Sequence, residues 1–184
     1  MFAQKITDRH ELRLFESDHA VELFALVDTN RCYLRAWLPW VDSSKSVNDT
    51  SEFIAGSLHN FADLEGLAAG IWVADKLAGS IGVHDIDFHN RSAQLGYWLA
   101  EPLQGRGIVT DSCRAMIRYL FVERDLNKIV IRCASDNARS RAIPESLGFQ
   151  HEGRCRDAAR LHDQLIDLEI YSLLRREWAS RAGN

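Results

Sequence analysis

The sequence predicts a mixed α/β (α+β) fold around one central sheet, and three observations carry the prediction. Three strand-like segments follow one another between residues 68 and 100, with only short turns between them. Two amphipathic helical patterns precede them and two follow. A β-branched run, "NKIVIRCAS" at 127–135, separates the later helices, so helices and strands alternate along the chain. No repeat, low-complexity tract or Pro/Gly/Ser linker interrupts residues 1–184, which are expected to form a single domain.

Taken in order, Glu11–Leu14 alternates as a short opening strand. Asp18 is placed to cap a helix carrying Ala20, Leu23, Phe24 and Val27 at helical spacing. "RAWLPWV" breaks at Pro39 and puts Trp37 and Trp40 in a loop. Residues 47–64 read as an amphipathic helix with Phe53, Ile54, Leu58 and Phe61 on one face. Strands "AAGIWVA", "LAGSIGVHDI" and "AQLGYWLA" follow, with turns at Asp75-Lys76 and Asn90-Arg91. The next helix buries Val109, Cys113, Met116, Ile117, Leu120 and Phe121 on one stripe. After the 127–135 strand comes a helix over about 137–147, capped at its start by Asp136 or Asn137 and ended by Gly148. Two closing strands, about 149–160 and 164–175, complete the count.

Composition excludes several classes of function. An apolar share of 46% and a charged share of 26% are those of a soluble globule, with no apolar run long enough to span a membrane. Charges occupy the N-terminal stretch where a signal peptide needs an apolar run, so a cytoplasmic protein is expected. The net charge of −4 argues against direct nucleic-acid binding. Cys32, Cys113, Cys133 and Cys155 form no C-x-x-C pair, so reduced structural thiols are expected, with no metal site and no disulfide framework.

The feature that points to chemistry is "LQGRGIVT", residues 103–110, between a strand and a helix. Gly105 and Gly107 leave the backbone open where a diphosphate could approach the positive end of a helix. Two nucleotide motifs fail on spacing. A Rossmann fingerprint needs a third glycine where Thr110 stands, and no P-loop is present.

"QGRGIV" resembles the acyl-CoA signature [RQ]-x-x-G-x-[GA] of the GNAT acetyltransferases, with Val109 where Gly or Ala is preferred. The ordered set "LGYWL…QGRGIVT…N-x-x-S…LGF…EG" resembles, more narrowly, the RimJ/RimL-type N-acetyltransferases, which include ribosomal-protein serine acetyltransferases. The likeness runs from about residue 34 to about 178. It implies the GNAT fold, a mixed sheet of about six to seven strands flanked by about four helices. The sheet would splay between its fourth and fifth strands, "LGYWLA" and "NKIVIRC". Acetyl-CoA would then be the co-substrate, held by Gln104, Gly105, Arg106, Gly107, Ile108, Val109 and Thr110, with backbone N–H groups near Leu99 meeting the acyl carbonyl. Asn137 matches the family residue that contacts the pantetheine arm, and Ser140 the serine placed near the sulfur. A homodimer is a further expectation that the resemblance alone carries.

Acetyl transfer to an amine needs a neutral amine, a stabilised oxyanion and a protonated leaving thiolate. Backbone donors serve the oxyanion, and removing one such donor typically costs about 10²–10³ in rate. An α-amino group of pKa about 7.7–8.0 is roughly 10–20% neutral at pH 7, against roughly 0.04% for lysine at about 10.4. A protein or peptide N-terminus, such as that of a ribosomal protein, therefore needs only a weak base. Ser140 is the candidate proton donor to the thiolate. Pro144 denies the Ser140 carbonyl its helical partner, which is expected to kink or tighten that turn.

The base is less evident. Ala159 occupies the position of the glutamate that relatives use, and Gln94 stands where many carry Glu. His84 on the middle strand is the candidate, a histidine being the side chain suited to proton transfer near neutrality. Asp157, His162 and Asp163 are the others. Trp37 and Trp40 are candidates for the wall of the acceptor pocket. Two alternatives stay open: a small-amine acceptor such as a polyamine or aminoglycoside, and a CoA-binding sensor without catalysis.

Overall fold

The computed structural model describes residues 2–182. The eight strands are β1 (Ala3–Thr7), β2 (His10–Leu14), β3 (Leu67–Val73), β4 (Lys76–Asp87), β5 (Ser92–Leu99), β6 (Lys128–Ala134), β7 (Gln150–Leu161) and β8 (Gln164–Leu174). They are hydrogen-bonded in the order β1-β2-β3-β4-β5-β6-β8-β7. The helices are α1 (Ala20–Thr29), α2 (Arg31–Arg35), α3 (Val47–Ala62), α4 (Ile108–Val122), α5 (Ala138–Leu147) and α6 (Arg175–Ala182). Contacts group the chain into two compact units, Met1–Gly82 with Tyr97–Ser112, and Val83–Gly96 with Cys113–Asn184.

In the first unit β2 pairs antiparallel with β1 and β3, with Leu12 opposite Ile71 and both fully buried. Its helical core gathers Phe15, Leu23, Val27, Leu34, Val41 and Ile54. A capping box fixes the start of α3: Asp49 N–H donates to Ser46 Oγ at 3.3 Å, and Ser46 N–H donates to the Asp49 carboxylate at 2.8 Å. The Lys45 N–H, then the Ser46 hydroxyl and N–H, donate to the Asp49 carboxyl and hold its pKa below the ordinary value.

In the second unit β6 pairs antiparallel with β8, and β8 with β7. The predicted stripe of α4 is buried at Cys113, Met116, Ile117, Leu120 and Phe121. Phe121 meets Trp178 of α6 with ring centroids 5.5 Å apart. The α5 helix begins at the Asn137 cap, and Gly148 ends it at φ 80°, the left-handed C-cap that glycine adopts without a Cβ penalty. β5 and β6 pair in parallel only from Ser92–Lys128 to Gln94–Val130. The ladder stops there, although both strands continue.

Sequence and structure differ in four places. The described residues form eight strands rather than six to seven, because β1 is an edge strand with an exposed, polar face that gives no apolar alternation. Among the described residues there are six α-helices rather than four. The five-residue α2 is too short for a period to register, and α6, "RREWASRA", begins where the last strand is expected to end, at about 175, and has no apolar stripe to mark it. Asp18 is not the cap. It lies inside a 3-10 turn, Ser17–His19, whose own capping box joins Glu16 and His19, and α1 begins at Ala20. Finally, α5 runs unbroken through Pro144.

Candidate functional site

The glycine loop is open as its sequence implies. Gly105 and Gly107 have φ 71° and 77°, and no atom lies within 4 Å of where a Cβ on Gly105 would be. Arg106 folds back, donating from Nη2 to Pro102 O at 3.0 Å. The first backbone bond of α4 runs from Asp111 N to Gly107 O, so the N–H groups of Ile108, Val109 and Thr110 lie ahead of the ladder. Exposed backbone, open glycines and a 15-residue helix dipole form a cradle that fits a diphosphate.

A buried clamp absent from the sequence reading supports this first turn. Ser112, fully buried, donates to Ile108 O at 2.8 Å. With its single proton so used, Ser112 Oγ accepts from His10 Nε2 at 2.9 Å. Burial pushes the His10 pKa down, against the opposing charge of Asp111, so the imidazole serves here as a neutral donor.

Next to the loop, Leu99 is buried and Ala100 N–H donates to Ala78 O at 2.8 Å. β4 and β5 approach so closely here that a Cβ on Gly79 would lie 2.2 Å from Trp98 O. Trp40 is 39% exposed, and its ring meets that of Trp98 at 6.1 Å and 51°. Trp37 is half-buried. Trp40 and Trp98 together make an aromatic surface beside Leu99; Trp98 carries no separate signal in the sequence, because it sits inside a strand pattern that core packing already explains.

The second unit brings Asn137, Ser140 and Cys133 together. Asn137 Oδ1 accepts Ser140 N–H at 3.1 Å, so the cap role is real, and it leaves the Asn137 amide donors for other partners. Ser140 hydrogen-bonds to the Cys133 thiol, whose pKa burial nevertheless raises to about 11. Beyond them Glu169, buried on β8, accepts from His151 Nε2 at 2.6 Å, Arg154 Nε at 2.7 Å and Ser135 Oγ at 2.9 Å. Hydrogen bonds from His151 and Ser135, then Arg154, hold its pKa at about 2. This carboxylate lines a cavity of about 460 Å³ with Arg141 and Tyr171. Its valences are spent on internal pairs, and it has no proton to trade near neutrality.

His84 lies in another cluster of the same unit. Its side chain is 56% exposed, with Nδ1 3.2 Å from Asp85 Oδ2. The other base candidates are less apt. Asp157 N–H is bound by Asp167 at 3.0 Å where β7 bulges, and His162-Asp163 forms the two-residue turn between β7 and β8. Ala159 pairs with Ile166 and offers no titratable group. All four cysteines are free thiols; Cys113 is fully buried, and its burial drives the thiol pKa up.

The acetyltransferase (GNAT) domain family matches residues 9–150. The chain belongs to the GNAT acetyltransferase family. A relative from Bacillus subtilis (strain 168), named "Putative ribosomal N-acetyltransferase YdaF", is 38% identical over 179 residues, covering 97% of this chain and 98% of the relative. The ribosomal-protein-serine acetyltransferase of Escherichia coli (strain K12) is 29% identical, over 91% of this chain and 94% of its own. Among solved structures, the RimL ribosomal L7/L12 α-N-protein acetyltransferase in complex with coenzyme A superposes with a TM-score of 0.91 at 26% identity. That match covers 94% of this chain and 98% of the other. The microcin C7 self-immunity acetyltransferase MccE, solved with acetyl-CoA and AMP, gives 0.89 at 29% identity over 92% and 94%. As a GNAT acetyltransferase the chain is an enzyme with an open, mixed sheet, and acetyl-CoA is the donor such enzymes use.

Proposed function

We propose that this GNAT enzyme transfers the acetyl group of acetyl-CoA to the α-amino group of a protein or peptide N-terminus, such as that of a ribosomal protein, by direct attack in a ternary complex. The observation that carries the reading is the open glycine loop ahead of α4, with its free N–H groups and buried His10–Ser112 clamp. The diphosphate binds residues 104–110. β5 leaves its ladder with β6 at Gln94, and the backbone groups beyond that point supply partners for the donor's amide-bearing arm and, near Leu99, for the oxyanion. The unused amide donors of Asn137 add to the hold on that arm.

The proton inventory follows. His84 removes one proton from the acceptor ammonium, and the freed lone pair attacks the thioester carbonyl. When the C–S bond breaks, Ser140 delivers a proton to the thiolate and is resupplied by the second amine proton. Its hydroxyl already bonds a sulfur, Cys133 Sγ, in this fold. Trp37 and Trp40 wall the acceptor. The names of the relatives support a ribosomal acceptor.

Mixing the protein with acetyl-CoA and N-terminal peptides, polyamines or aminoglycosides, and following free thiol, tests the choice of acceptor. Release that depends on peptides with a free α-amine is expected. Release with small amines only, or CoA binding with no release at all, overturns it. His84→Gln should lower kcat/KM on the order of 10²-fold; wild-type activity and an unaltered pH profile in that variant remove His84 as the base.

A further inference from the structure

We infer that Asp85 is the positioning residue for His84, fixing the ring so that Nε2 carries the free lone pair over Gly96 of β5, with Gln94 holding Asp85 in place; this rests on His84 being the base.

Four observations converge on these side chains. First, Asp85 has φ 51° two residues before the end of β4, a left-handed conformation that a non-glycine residue rarely holds in a strand. His84 and Asp85 are consequently both exposed, where a regular strand would turn one of them inward. Second, Gln94 on β5 donates from Nε2 to Asp85 Oδ2 at 2.7 Å, which anchors the unusual conformer. Third, the same Oδ2 lies 3.2 Å from His84 Nδ1. A carboxylate only accepts, so Nδ1 bears the proton and, in the neutral ring, Nε2 does not. Fourth, Nε2 is the ring atom over Gly96: a Cβ there would be 3.6 Å from it. A longer side chain at 96 would cover the lone pair that glycine leaves open.

The arrangement is poorly explained by stability. Exposed neighbouring charges return little to the folded state, while a left-handed aspartate is strained. Strain held in place by a neighbouring strand, beside an aimed imidazole, is the pattern of a site. Gln94 fits the same logic. An amide donates to Asp85, whereas a carboxylate at 94 would set two like charges against each other. Two residues further along β5 comes Gly96, past the end of the ladder with β6, so the lone pair looks onto strand backbone that its neighbour has released.

In the proton step, one acceptor N–H bond breaks and a Nε2–H bond forms. The positive charge moves onto the imidazolium, adjacent to the Asp85 carboxylate. Solvent then takes that proton, and the ring returns to the Nδ1–H tautomer.

The test compares wild type with Asp85→Gly, Asp85→Asn and His84→Gln. Glycine suits the left-handed position, so Asp85→Gly deletes the carboxylate without straining the strand. Two readouts are taken: the His84 tautomer from ring 15N shifts, and kcat/KM against pH for an N-terminal peptide, with the CoA Kd as the check on folding. In Asp85→Gly the Nδ1–H tautomer should be lost and kcat/KM should fall on the order of 10-fold or more, at unchanged CoA Kd. Asp85→Asn keeps an acceptor for Nδ1–H, so the tautomer should persist and kcat/KM should return to within a few-fold of wild type. A wild-type tautomer and wild-type kcat/KM in Asp85→Gly overturn the positioning role even if His84→Gln is inactive. An active His84→Gln instead removes the base itself, whatever Asp85 does.

Discussion

Gly107→Ala separates the cost of a backbone conformation from the cost of a lost ligand contact. Gly107 sits at φ 77°, and the only atom near a new Cβ is Asp111 Oδ2 at 3.9 Å, an ordinary contact. The free protein therefore bears only the left-handed penalty, about 1–2 kcal/mol. For a chain of this length that is a fall in Tm of about 2–8 °C. On the proposed cradle, binding bears a second cost, because the methyl group would stand where the diphosphate meets the N–H groups of 107–110. Losing one charge-assisted hydrogen bond is worth about 1.5–3 kcal/mol, or about 10- to 150-fold in Kd. Calorimetric titration with CoA measures this, and pantetheine, which has no diphosphate, should bind the variant as it binds wild type. Gly56→Ala is the control: it lies within α3 with no atom within 4 Å of a Cβ, and should stabilise the protein by about 0.5–1 kcal/mol with CoA affinity unchanged. A wild-type CoA Kd in Gly107→Ala would refute the cradle.

Ser140→Ala should reduce kcat on the order of 10²-fold while leaving the CoA Kd within about twofold, as expected of a group used when the thiolate leaves; stopped-flow thiol detection reads the effect. Glu169 should confer acid-sensitive stability. Its folded pKa, about 2, lies below its ordinary 4.5, so the stabilisation is complete above about 4.5 and is lost as pH falls towards 2. Urea midpoints across that window should fall more steeply for wild type than for Glu169→Gln, and parallel curves would contradict the assignment. Gly79→Ala should destabilise by about 2–3 kcal/mol, since the new Cβ meets the Trp98 carbonyl at 2.2 Å, and should lower kcat by moving β5 at Leu99; an unchanged Tm would be inconsistent with the close strand approach.

The elements legible in the sequence are those whose cause is local. Gly148 announces the end of α5 because only a left-handed cap needs it there, and the α4 stripe is readable because every third or fourth residue is buried. Gly105 and Gly107 mark an open loop for the same kind of reason. What could not be read depends on partners far away in the chain. Ser112 gives no sign that His10, 102 residues earlier, pins it to the first turn of α4. Asp85 looks like one more polar strand residue until Gln94, nine residues on, is seen to hold it at φ 51°. Gln94 itself looks like a lost carboxylate, whereas in the fold it is a donor. Likewise Glu169 sits in an apolar closing strand, and only the bonds from His151, Arg154 and Ser135 explain a buried charge there.

Fragmentation mass spectrometry of a short acceptor peptide, carrying both a free α-amine and an internal lysine, reads which nitrogen is acetylated after incubation with the protein and acetyl-CoA. A single acetyl group on the α-nitrogen, absent when the peptide's N-terminus is blocked beforehand, is the predicted result. An acetyl group on the lysine, undiminished by the block, would contradict it.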